Sequence, residues 1–179
     1  ATLVLAGYSG FDEMESVMSA ITRDPGYRAA FEEMENGAEP PYDSAEQVLL
    51  RALDFSPEIV PLEEKPKTPR YFELRVYHSP TQRQLGYVHE RFAGPEIRIF
   101  HRVGVHPIFY TDTLIGPQMP NLTYMIPFDS LAAREKAWDA FGADPEWAKV
   151  RQESIARGGQ VVSHNSITLW RPAAYSPIQ

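Results

Sequence analysis

Residues 71–77 read Tyr-Phe-Glu-Leu-Arg-Val-Tyr, which sets Glu73, Arg75 and Tyr77 two apart. Alternate residues of a strand share a face, so a carboxylate, a guanidinium and a phenol point the same way. On a lone sheet that face meets solvent. In a closed or paired barrel it is interior, where Glu73 and Arg75 must pair with each other or hold something. Tyr110, on a following strand, can be aimed into the same cavity. The set could grip a polar ligand. The other reading is a structural Glu–Arg pair with tyrosines packed around it. The histidines are His78, His89, His101, His106 and His164, and their spacing is diagnostic of no metal site, which needs converging ligands with outer support. His101 and His106 flank the end of a helix, which adds His101 to the candidate ligand-binding set. Arg91, Arg98 and Arg102 follow helical spacing and could steer an acidic ligand or form a solvated face. No Gly-rich phosphate loop, His-Glu-x-x-His motif or nucleophile elbow is present. With no Cys, disulfide and thiolate chemistry are excluded. Neither a metal nor a cofactor is expected.

The elements that must position these residues follow from periodicity. The strand at 71–77 has Phe72, Leu74 and Val76 on its other face. Residues 81–103 read as helical, with Leu85, Val88, Phe92, Ile99 and Val103 inward and a kink or restart at Gly94-Pro95. Residues 107–114 form a second strand. Leu122, Tyr124 and Ile126 alternate with Thr123 and Met125, a third strand. Asp129 and Ser130 offer N-cap oxygens to a helix whose inner face carries Leu131, Ala137, Trp138 and Phe141. Asp144-Pro145-Glu146 restarts the chain as another helix, with Asp capping, Pro at the first position and Glu at the positive end of the dipole. Residues 161–170 are the fourth strand. The order βαββαβ is that of a ferredoxin-like unit.

The N-terminal segment repeats part of this outline 120 positions earlier. Asp24-Pro25 matches Asp144-Pro145, Ser56-Pro57 matches Ser176-Pro177, and Leu49 and Arg51 match Leu169 and Arg171, all without a gap. Phe11, Met18 and Ile21 fall on Leu131, Trp138 and Phe141. The matches lie on caps and on the apolar face, and an internal duplication accounts for them. Residues 2–8 then read as a strand, Ser9 as the start of a capping box, Phe11, Met14, Val17, Met18 and Ile21 as an inward stripe, Asn36-Gly37 as the end of a second helix, and residues 45–53 as the closing strand. Residues 58–70, with Pro61, Pro66 and Pro69 and wet by Glu63, Glu64, Lys65 and Lys67, form a semi-rigid linker.

Residues 122–154, the 71–77 strand and the ending Leu169-Trp170-Arg171-Pro172…Tyr175-Ser176-Pro177 together resemble a NIPSNAP domain. Residues 71–179 would be one complete domain and 1–57 the latter half of a first repeat. The resemblance implies an α+β fold of ferredoxin-like βαββαβ units whose antiparallel sheets pair into a dimeric or pseudodimeric α+β barrel. It implies a barrel protein of undetermined biochemical role that binds a small molecule or a protein partner. The wider barrel group implies an alternative, a small cofactor-independent enzyme, monooxygenase- or isomerase-like, using an inward Arg, Tyr or His. One departure stands out: where the family usually has a His before the Gly ending the first helix, this chain has Val103 before Gly104.

A half unit leaves an open sheet edge, so a homo-oligomer, or association with a segment upstream of Ala1, is expected. The net charge of −7 is uneven: residues 1–64 carry −11 and residues 65–179 carry +4. The acidic part argues against nucleic-acid binding and fits either docking of one part on the other or two solvated faces. No apolar run approaches 18 residues, so no membrane span is expected, and a soluble, cytoplasmic protein is.

Overall fold

A computed structural model of the chain describes residues 1–64 and 66–179; Lys65, counted above with the linker charges, lies outside them. The chain divides into two compact units, Ala1–Glu46 and Gln47–Gln179.

The first unit is a helical pair. Helix α1, Phe11–Arg23, starts at Gly10 without a side-chain cap. The expected Ser9 cap is realised only in its reverse half, with the Glu13 carboxylate accepting from the Ser9 N–H. Helix α2, Pro25–Glu35, is capped by Asp24, whose carboxylate accepts from the Tyr27 N–H at 2.7 Å. Residues 2–8 form no strand, because a strand needs a neighbour to satisfy its backbone. No residue of either helix is buried. The stripe expected to face inward is open, with Phe11 63% exposed.

The second unit is a five-stranded antiparallel sheet under helices. Strand β1, Leu49–Ala52, pairs with β3, Phe109–Ile115, matching Leu50 to Thr113 and Ala52 to Thr111. Strand β2, Tyr71–His78, lies between β4, Asn121–Phe128, and β5, His164–Trp170, and the order is β1-β3-β4-β2-β5. After β2 come helices α3, Gln82–Arg91, and α4, Ile97–Arg102, joined by a wide turn over Phe92–Glu96 where Gly94 leaves helical geometry ahead of Pro95. Helix α5, Leu131–Ala143, is capped by Ser130, and α6, Pro145–Gly158, by Asp144, which accepts from the N–H groups of Glu146 and Trp147 at 2.9 and 3.1 Å. Residues 58–64 and 66–70 carry no helix or strand; Leu62 bonds the Pro177 carbonyl and Arg70 that of Gln179.

The two sheet faces are unlike. One packs Tyr77, Tyr110, Leu122, Tyr124, Ile126 and Phe128 against Leu85, Val88, Phe92, Ile99, Phe100, Ala137 and Phe141 of the helices. Each such side chain, fully buried, contributes about 1.5–3 kcal/mol. The other face gathers Phe72, Phe109 and Met125 with Leu74, Ile108, Trp170 and Ile178.

Candidate functional site

Because Glu73, Arg75 and Tyr77 alternate along β2, they fall on the helix-covered face. They meet neither solvent nor a barrel lumen. The Glu73 side chain is wholly buried and that of Arg75 nearly so. The Glu73 carboxylate accepts from the Nε of Arg75 and the Nε of Arg134 on α5, so two guanidiniums offset one buried charge. Arg75 also donates to the Tyr77 hydroxyl at 3.2 Å, and its guanidinium lies 3.6 Å from the centre of the Trp138 ring. A planar cation suits both contacts.

The register extends this line across the sheet. Arg75 faces Tyr124, and Tyr124 faces Tyr110. Tyr77 meets Tyr124 edge-on at 5.2 Å, and the Tyr110 and Tyr124 rings stack at 5.8 Å. The hydroxyls of Tyr110 and Tyr124 are both buried without a hydrogen-bond partner. The Tyr77 hydroxyl acts on the Tyr124 pKa. Burial, and after it Glu96, drives the Tyr110 phenol far up; burial, then Tyr77, does the same to Tyr124. Both therefore stay protonated hydrogen-bond donors.

Glu96 reaches this region from the wide turn. It is buried, bonded by Arg91 Nε at 2.6 Å, and burial pushes its carboxyl up to about 6 despite Arg91. Arg91 lies 5.0 Å from the Trp147 ring centre. The Arg91, Arg98, Arg102 row is thus split. Arg91 turns inward, while Arg98 and Arg102 are tied to Glu146 and Asp144, with Arg102 2.6 Å from Asp144. That leaves no free row to steer a ligand.

His101, at the end of α4, stands apart from the β2 chain. It lines a cavity of about 260 Å3 together with Asp54, Ser56, Pro57, Ile97 and Tyr110. Tyr110 is therefore common to the cavity wall and the polar row, and Ser56 Oγ fixes it by accepting from its N–H at 2.9 Å. His101 stacks on His106 at 5.0 Å; burial and then His106 lower its pKa, leaving the imidazole neutral at pH 7. Elsewhere, His89 bonds Asp112 at 2.7 Å and His78 bonds Ser163 at 2.9 Å. Among the described residues no three His, Cys, Asp or Glu side chains gather as a metal site, and no helix is long and apolar enough to cross a membrane.

Sequence reasoning missed Tyr124, Glu96 and Trp138 as parts of this cluster. Tyr124 and Trp138 carried the inward periodicity but read as apolar filler. Glu96 gave no signal, because only the wide turn at Gly94-Pro95 brings it under the sheet.

Residues 72–177 match the NIPSNAP family profile. No curated protein matches the chain. Among solved structures, a NIPSNAP family protein of unknown function from Agrobacterium tumefaciens aligns with TM-score 0.54 at 19% identity, covering 64% of this chain and 97% of that one. A second NIPSNAP family protein from the same organism gives 0.54 at 20%, covering 66% and 98%. An uncharacterised NIPSNAP-like domain protein from Burkholderia xenovorans gives 0.51 at 22%, covering 60% and 89%. With that profile spanning more than half its length and α+β neighbours of the same family, the chain belongs to the NIPSNAP family.

Proposed function

We propose that the Gln47–Gln179 unit is a binding module that holds a small molecule in the cavity between β3 and α4. One observation carries this reading: the cavity of about 260 Å3 sets Asp54, Ser56, His101 and the buried Tyr110 among the apolar Phe55, Pro57, Ile97 and Pro107, polar groups converging on an apolar wall as a small-ligand site has them. Glu73, Arg75 and Tyr77 stand behind it and hold Tyr124 and Tyr110 in place. Ile97→Trp fills the cavity from its rim. Native mass spectrometry of the wild-type protein should show a retained small molecule that this variant lacks while unfolding at a similar temperature. Equal retention by both would place the ligand elsewhere.

The enzymatic alternative draws support from His101. A neutral imidazole in the cavity wall can act as a general base. Under that reading His101→Ala abolishes turnover of a bound compound, whereas under the binding reading it only weakens retention.

The same reading takes residues 1–57 as the latter half of a first repeat, 58–70 as linker and 71–179 as a complete domain. Support comes from local geometry: α1 and α5 both run 13 residues and begin 120 positions apart, and Asp24 and Asp144 end one helix and cap the next with nearly equal backbone angles. Assembly into an oligomer is supported by the open edge at β5, where Ile167 and Leu169 are exposed. Light scattering coupled to size-exclusion chromatography tests it; a monomer at tens of micromolar would rule it out.

A further inference from the structure

We infer that residues 53–57 form a hinged strap that lifts off Tyr110 while the sheet stays folded, and that this opening admits solvent and ligand to the cavity. This rests on the cavity reading above and adds how that cavity is reached. The cavity has two unlike kinds of wall. Ile97 and His101 stand on α4 and Tyr110 on β3, whereas residues 54–57 stand on neither helix nor strand.

The strap grips the sheet at a single residue. The Leu53 N–H donates to the Tyr110 carbonyl at 3.0 Å, the Tyr110 N–H donates to Ser56 Oγ at 2.9 Å, and the Phe55 ring meets the Tyr110 ring edge-on at 5.5 Å. Among the described residues, the other hydrogen bonds of the segment stay within it: the Ser56 N–H donates to the Leu53 carbonyl at 2.8 Å, and Ser56 Oγ to the Pro57 carbonyl at 3.3 Å. The segment is therefore tied to itself and moves as one piece. From its other side β3 is held by a ladder: Phe109, Tyr110, Thr111 and Asp112 pair with Met125, Tyr124, Thr123 and Leu122, and the Ile108 N–H donates to the Met125 carbonyl at 2.8 Å. Leu53, Phe55 and Ser56 are half-buried, and Asp54 and Pro57 are exposed. Residues 58–64, which follow, carry no helix or strand and give the strap slack to swing about the end of β1. The free energy of a local opening is set by the contacts that it breaks. Lifting the strap breaks two hydrogen bonds and the packing of Leu53 and Phe55 at the rim of the core; parting β3 from β4 breaks the core itself. Tyr110 is only 1% exposed although it lines the cavity, so its N–H reports when the strap is off.

Native-state hydrogen exchange of the full chain, read by NMR, tests the inference. The Leu53 and Tyr110 N–H groups should have protection factors that agree within about threefold and lie at least roughly tenfold below that of Ile108, which is two residues from Tyr110 but bonded to β4. Phe55→Ala should lower both by about tenfold and leave Ile108 unchanged. Tyr110 protected as strongly as Ile108 in the wild-type protein overturns the strap. So does a Phe55→Ala variant in which Leu53 and Tyr110 respond unequally, all three amides respond alike, or none responds. These results leave the cavity reading standing as a fixed pocket, whereas equal retention in the Ile97→Trp comparison strikes the cavity reading and not the exchange pattern.

Discussion

Glu73 makes the residue scale concrete. A carboxylate with no exposure is tolerable because Arg75 and Arg134 both reach it. Taking one away leaves a buried charge half compensated, so Arg75→Ala should cost about 3–5 kcal/mol, read as a lower urea midpoint at unchanged slope. The sequence suggested a ligand grip at this residue, with a structural pair as the other reading; every polar atom of the Arg75 guanidinium with a named partner spends it on Glu73 or Tyr77, which favours a structural role. Glu96 makes the opposite case. Its folded pKa of about 6 lies above the ordinary 4.5, so its contribution to stability is full below pH 4.5 and is lost as the pH rises through 6. That interval corresponds to about 2 kcal/mol. Arg91 and Arg75 face it as cations and Tyr110 and Tyr124 as phenols that do not titrate in this range. Urea unfolding from pH 4 to 7 should therefore show a decline in wild-type stability that Glu96→Gln lacks.

At the scale of elements, caps do much of the placing. Asp144 ends α5, starts α6 and binds Arg102 of α4 at 2.6 Å, so one side chain fixes the junction of three helices. Asp144→Ala should cost about 1–2 kcal/mol, measured by thermal or urea unfolding, and Asp144→Asn should recover most of it, since the amide oxygen still accepts from the backbone. These junctions were legible in the sequence because a cap needs a particular residue at a particular step: Asp-Pro at both 24–25 and 144–145 starts a helix, and Ser130 caps as its position foretold. Strand alternation likewise placed Glu73, Arg75 and Tyr77 on one face. What alternation could not convey was which layer covers that face, because a period of two fixes sides and says nothing of neighbours. The wide turn at Phe92–Glu96 was visible as Gly94-Pro95, yet its consequence, an inward Glu96 and a severed arginine row, depends on how many residues the turn adds per revolution. Residues 2–8 misled for a related reason: an apolar run becomes a strand only if another strand accepts its hydrogen bonds.

For the whole molecule, stability should be distributed very unequally between the two units. Gln47–Gln179 contains the buried core, with Val88, Phe92, Ile99, Phe100 and Leu122 fully enclosed, and the whole five-stranded sheet. Ala1–Glu46 offers helices of 13 and 11 residues with no buried side chain, lengths at which a helix is marginal in water without packing. Its apolar stripe, Phe11, Met14 and Met18, lines an open groove; Phe11 and Met18 answer to Leu131 and Trp138 of α5, where Trp138 and Phe141 pack against Phe100. Expressed alone, residues 47–179 should unfold cooperatively within a few degrees of the full chain, while residues 1–46 alone should show little helix by circular dichroism. Phe92→Ala, which opens a cavity at the centre of the sheet–helix layer, should lower the stability of residues 47–179 by about 3–5 kcal/mol and leave the circular dichroism of residues 1–46 untouched when the two are compared as separate peptides. A residue 1–46 peptide that is strongly helical by itself would mean that its stripe needs no sheet to lie on, and the repeat would lose the physical reason for its matched apolar face.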